Sequence, residues 1–151
     1  MPTLSELIVK LRDDAKSVLK KGDASATLET LAARIGYESA TSLSNGLKPD
    51  KVAAIKLVAL WEIAGWSDDA IVALILAYLE ERIGSSKDSK VRTAWRLARE
   101  AERTIPKKDL DEYRRFVIDT FAEEARSVDD GRAESAQRKR GTLSRRPPKG
   151  S

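Results

Sequence analysis

Apolar residues recur every three or four positions along most of the chain, and the strict alternation that marks a half-buried strand is absent. The spacing predicts about seven helices. The first runs from Leu4 to Lys20, with Leu4, Leu7, Ile8, Leu11, Ala15, Val18 and Leu19 on one stripe and Gly22 just past its end as a C-terminal cap. Thr27 is placed to cap a second helix, Leu28 to Ile35, which Gly36 stops in a left-handed conformation. A short third helix follows from Ala40 to Asn45, capped by Ser39 and ended by Asn45-Gly46. Pro49 breaks the chain, and Asp50 is the expected cap of a fourth helix, Lys51 to Ala64, closed by Gly65. Ser67, Asp68 and Asp69 open a fifth, which continues to Ile83 and stops at Gly84. The sixth spans Asp88 to Arg103. The seventh spans Lys107 to Ser127, with Leu110, Tyr113, Val117, Phe121 and Ala125 at helical spacing. The fold class expected is all-α: a compact helical bundle with a C-terminal helical extension and a disordered basic tail. The divisions fall at 1–84, 85–128 and 129–151, the middle part serving oligomerisation or packing.

Composition narrows the chemistry. At 41% hydrophobic and 5% aromatic residues, the core must be built mostly from Ala, Leu, Ile and Val. The chain has no Cys and no His, which removes disulfides, thiolate nucleophiles, imidazole bases and the commonest metal ligands. Glu80-Glu81 and Glu123-Glu124 are adjacent pairs, and neighbours on a helix point about 100° apart, so neither is a carboxylate dyad. No phosphate-binding loop or nucleophile–base spacing is present, so neither an enzyme nor a bound cofactor or metal is expected. The most apolar run, "AIVALILAYL" at 70–79, is too short to span a bilayer and is flanked by Asp68, Asp69, Glu80, Glu81 and Arg82. With no leader pattern at the start, "MPTLSELIVKLRDD", a cytoplasmic protein without membrane contact is expected.

The net charge of +4 is unevenly spread. Residues 131–151 hold seven of the 28 basic side chains and one of the 24 acidic ones, or +6. The remaining 21 basic and 23 acidic leave residues 1–130 at −2. The basic character therefore belongs to the tail "RKRGTLSRRPPKG", either as an arm adding salt-sensitive affinity for nucleic acid or as a solvated end with no specific partner.

The stretch "GYESATSLSNGLKP", 36–49, is polar, small and glycine-punctuated between two apolar helices. A helix, a glycine turn, a short helix, a break and an apolar helix make the layout of a helix-turn-helix within a small bundle. "TLETLAARIGYESATSLSNGLKP" resembles the Cro and phage-repressor type of helix-turn-helix. Thr27 stands at the cap, Leu31-Ala32 at the Leu-Ala pair, Gly36 at the turn glycine, Leu43 at the buried position of the recognition helix, and Pro49 after it. The pattern departs at Leu28, where that family often carries Gln, and its short helix holds no Arg. The segment "AIKLVALWEIAGWSDDAIVALILAYLEER" is loosely similar to the part of small CII-type phage regulators that lies C-terminal to their helix-turn-helix.

The resemblance implies a phage or prophage transcription regulator that binds double-stranded DNA as a dimer or higher oligomer, repressor and activator being equally open. With Leu43 and Leu47 turned to the core, Ser39, Thr41, Ser42, Ser44 and Asn45 are left to face outward. Hydroxyls and an amide there can bond phosphates and base edges, Asn being suited to adenine. Thr27 at the helix start and the flanking Lys48 and Lys51 complete the candidate DNA-binding set. The alternative is an adaptor, inhibitor or antitoxin that uses the same scaffold to bind a host protein. The fifth helix, apolar on all faces, is expected either at an interface between copies or beneath the C-terminal helices. Trp61 and Trp66 are expected in the core near a helix corner, and Trp95 at an edge among Arg92, Arg96 and Arg99.

Overall fold

Seven α-helices and no strand make up the described part of the chain, which in this computed structural model is residues 2–145, with side chains as far as Val128. The helices are α1 (Leu4–Gly22), α2 (Leu28–Ile35), α3 (Ala40–Gly46), α4 (Ala54–Ala64), α5 (Asp68–Leu79), α6 (Ser89–Glu102) and α7 (Lys107–Arg145), and α5 ends in a wide π turn, Glu80–Gly84. Among the described residues no helix is long and apolar enough to cross a membrane.

One continuous core joins α1 through α5 to the middle of α7. Leu11, Leu31, Leu43, Leu57, Leu60 and Leu74 are fully enclosed in it, and α7 contributes Ile118, Ala122 and Ala125. Burying an aliphatic side chain of this size is worth about 1.5–3 kcal/mol each, so this cluster dominates stability. α1 lies along α4 and also touches α2 and α5, while α7 crosses α4 and α5. Trp61 is buried at that crossing with its ring 5.7 Å from Phe121, which meets Tyr78 edge-on at 5.6 Å. Trp66 is half-buried at the corner between α4 and α5, and its indole N–H donates to Asp14 on α1 at 2.8 Å.

One side of the apolar helix α5 is covered within the chain. α1 and α7 pack on it, enclosing Ile71, Val72, Leu74 and Ile75. At its start Ser67 caps through Ala70 N–H at 3.3 Å. Asp68 and Asp69 there do more than meet the helix dipole: they also take Arg115 at 3.0 Å and Arg114 at 3.6 Å from α7.

Several helix ends differ from the spans that the sequence predicts: α3 and α6 by single residues, α5 by giving way to the π turn at Glu80 before the expected Ile83, and α1, α4 and α7 as follows. α1 runs through Gly22, because Asp23, and not the glycine, ends it. The Asp23 carboxylate accepts from Ser25 N–H at 3.0 Å and Ser25 hydroxyl at 2.7 Å, and these bonds hold its pKa below the ordinary value. α4 begins at Ala54, three residues after the expected Lys51, and Asp50 does not cap it. Lys48–Val52 instead forms its own turn, with Lys51 and Val52 N–H both donating to Lys48 O at 2.9 Å, and Val52 is buried. α7 carries its backbone on to Arg145 where an end at Ser127 and a disordered tail were expected. "AESAQRKR" is rich in good helix formers. The side chains of 129–145 and all of 146–151, on which the rest of that expectation falls, lie outside the described residues.

Candidate nucleic-acid interface

α2 and α3 pack against each other across the turn Gly36–Ser39, and α2 also rests on α1 and α4. Gly36 has φ 94°, a left-handed conformation that a side chain would strain. It lets Gly36 and Tyr37 N–H turn back on Ala33 O at 3.3 Å and Ala32 O at 2.8 Å, closing α2. Ala32 is fully buried, so α2 offers a small side chain where the neighbouring elements approach. Leu43 and Leu47 are buried at 0% and 6% exposure and fix α3 to the core by two points one turn apart.

That anchoring sets which α3 side chains remain outside. Thr41, Ser44 and Asn45 are exposed, and among the described residues none of their side chains makes an intramolecular hydrogen bond that would withdraw it from a ligand. Lys48 and Lys51 are exposed just beyond. Thr27 is exposed at the head of α2, where its N–H donates to Thr30 Oγ1 at 3.1 Å. Ser39 and Ser42 are different. Ser39 is half-buried and caps α3, its Oγ accepting Ser42 N–H at 3.1 Å and donating to Ser42 Oγ at 3.1 Å. Ser42, also half-buried, keeps its own proton and one lone pair for another partner. The structure therefore brings Thr41, Ser44, Asn45, Lys48 and Lys51 together at the surface, with Thr27 one helix away and the Ser39–Ser42 pair serving the cap.

Two cationic side chains outside the candidate set brace this segment from behind. Lys56, on α4, donates from Nζ to Ile35 O at 2.7 Å and lies 4.8 Å from the centre of the Tyr37 ring. It satisfies a carbonyl at the open C-terminal end of α2 and adds a cation–π contact. Tyr37 also packs so closely on Gly46 that an added Cβ would meet the ring at 2.6 Å, so a side chain there would have to displace the tyrosine although the Gly46 φ is not positive. Arg82, in the π turn, donates to Pro49 O at 2.6 Å and Val52 O at 2.9 Å and stacks on Tyr78 at 4.8 Å. The turn after α3 is thus tied to the far end of α5. A lysine 21 positions and an arginine 30 or more positions from their acceptors leave no local signature.

The electrostatics of the surface are balanced. Residues 27–51 carry Arg34, Lys48 and Lys51 against Glu29, Glu38 and Asp50. Among the described residues no group of His, Cys, Asp or Glu is arranged to hold a metal ion. No family model matches the chain, and comparison with curated proteins and with solved structures finds no match.

Proposed function

We propose that this protein is a sequence-reading, double-stranded DNA-binding regulator of the Cro and phage-repressor type, with α3 as its recognition helix. The observation that carries the reading is the division of α3. Leu43 and Leu47 hold it in the core while Thr41, Ser44 and Asn45 stand exposed with their polar groups unspent. A helix seven residues long, with its inner face locked, offers a rigid row of donors and acceptors of the size that enters a major groove. Lys48 and Lys51 are positioned to meet phosphate beside it, where they fix register without reading sequence. Two copies acting together would read half-sites about 34–36 Å apart.

A second reading, an adaptor that binds a protein through the same face, is favoured by one observation: the three-against-three charge balance of residues 27–51. A surface of that kind draws less on phosphate attraction than DNA-binding surfaces generally do.

Selection of bound duplexes from a random library separates the two. The regulator enriches a defined sequence, and Asn45→Ala then loses about 1–3 kcal/mol of discrimination at one base pair of it. Thermal stability stays unchanged, since Asn45 is exposed. Leu43→Ala, in contrast, costs about 2–5 kcal/mol of folding free energy. If no sequence is enriched at low or moderate salt, DNA reading by α3 is wrong and the adaptor reading takes its place.

A further inference from the structure

The charge of −2 over residues 1–130 is itself unevenly spread. Residues 85–108, which are α6 and the joints at its two ends, hold eight basic and three acidic side chains, or +5. The rest of residues 1–130 hold thirteen basic and twenty acidic ones, or −7. α6 is therefore a basic island on an acidic body, and no residue of it is buried.

Its cations are also in line. At about 100° per residue, Arg92, Arg96, Arg99 and Arg103 fall within about 60° of one another around the helix. Arg103 is the C-cap and keeps helical backbone angles, φ −65° and ψ −17°, so it continues the line. Arg99 is half-buried and committed: it pairs with Glu102 at 3.0 Å and lies 5.9 Å from the centre of the Trp95 ring. Arg92 is exposed and gives one guanidinium nitrogen to Ser86 O at 2.5 Å. Arg96 and Arg103 are exposed, and among the described residues neither makes a side-chain hydrogen bond or an ion pair.

We propose that this arginine line is a second contact with double-stranded DNA, in which Arg92, Arg96 and Arg103 meet phosphates and read no bases. The choice of DNA as the polyanion rests on the regulator reading; the basic island does not. From Arg92 to Arg103 the line is about 16 Å long at 1.5 Å per residue, and each strand offers a phosphate for about every 3.4 Å of duplex axis, so several phosphates lie within its reach. The planar fork of arginine matches phosphate oxygens by two bonds at once. α6 is attached to the same π turn that holds the segment after α3. Arg82 of that turn takes the Pro49 and Val52 carbonyls, and Glu80 of that turn accepts from the Trp95 indole. One element thus carries both sets of candidate phosphate ligands, Lys48 with Lys51 and the α6 line.

An anionic bilayer presents phosphate too, but the opposite side of α6 does not suit one. Leu97 is the one large apolar side chain there, Ala94 and Ala101 flank it, and Lys90 lies among them.

The test uses the full chain and a duplex of random sequence, titrated between about 50 and 200 mM salt. Arg96→Gln/Arg103→Gln is compared with Lys20→Gln/Lys21→Gln, which removes the same two charges from exposed positions at the end of α1. The α6 pair should lower the slope of log affinity against log salt by about 1.8, at 0.9 for each phosphate contact, so that the rise in salt costs it about tenfold less affinity than it costs the wild type. The α1 pair should keep the wild-type slope. Both should keep the thermal midpoint, since all four side chains are exposed. Equal slopes in the two pairs, or a wild type that binds no duplex at the lowest salt, overturn the proposal. So does an α6 pair that keeps the wild-type slope yet loses binding to vesicles of anionic phospholipid, which marks a membrane surface instead. Base reading by α3 fails separately: a random library from which no sequence is enriched, with the slope difference intact, removes it and leaves the α6 contact.

Discussion

Lys56 holds the turn between α2 and α3 through one ammonium group. It closes the Ile35 carbonyl at 2.7 Å and faces the Tyr37 ring at 4.8 Å. Lys56→Met keeps the aliphatic stem and removes both contacts. The half-buried carbonyl then loses its charged donor, and the expected cost is about 1–3 kcal/mol in chemical unfolding. If the recognition segment is braced this way, sequence discrimination falls further than a surface substitution such as Lys20→Met would cause, and equal effects of the two would remove Lys56 from that role. Tyr113 reports on the base of α6. Burial first, and then the hydrogen bond and negative charge of Glu102, push its hydroxyl up to about 12 from 10. The neutral phenol is the form the fold favours. Its contribution is therefore complete below about pH 10 and is lost as pH rises through about 12. A phenolate absorbance titration should show a step near that upper value, and Tyr113→Phe should reduce its amplitude by one tyrosine. Neither Lys56 nor Tyr113 could be singled out from the chain, since their partners are 21 and 11 positions away.

At the scale of elements, what could be read from the sequence was whatever depends on neighbours in the chain. α2 matches its expected span, Leu28–Ile35, because a threonine cap, an apolar stripe and a glycine stop lie within ten residues. Gly36 and Gly65 both hold positive φ, 94° and 66°, as their place after α2 and α4 predicted. They differ in surroundings. A Cβ at Gly36 would meet Lys56 Nζ at 2.9 Å, whereas nothing lies within 4 Å of one at Gly65. Gly65→Ala should cost about 1–2 kcal/mol, the left-handed penalty alone. Gly36→Ala should cost more, since it also displaces the lysine that closes α2. Equal thermal shifts for the two would contradict that account. One end that escaped the sequence, the start of α4, was decided by a distant group. α4 starts late because Val52 is drawn into the core and Arg82, from the end of α5, takes the Pro49 and Val52 carbonyls. Within the candidate site, the outward placing of Thr41, Ser44 and Asn45 followed from the spacing of Leu43 and Leu47. The partial withdrawal of Ser39 and Ser42 did not, because capping uses the same hydroxyl that a ligand would.

Across the whole molecule, the division between body and basic end sets the last test. The groups that bury α7 in the core, Ile118, Ala122 and Ala125, all precede residue 131. Arg126 reaches Glu62 at 2.6 Å and also precedes it. Deleting residues 131–151 takes away seven basic side chains and one acidic one and leaves in place every core residue seen among the described side chains, and the thermal midpoint should stay within a degree or two of the full chain. Under the DNA reading these charges act on phosphates and not on bases. Their loss should weaken binding to every duplex alike, and the slope of log affinity against log salt should flatten by about 0.9 for each phosphate contact removed. Preference for a selected sequence over random DNA should survive, because it is assigned to α3. Under the adaptor reading the full chain binds duplexes weakly and without preference, and the truncated chain does not bind them. The decisive quantity is the ratio of selected to random affinity in the truncated protein. A ratio unchanged from the full chain places sequence reading in the helix-turn-helix, and a ratio of one in both sinks it.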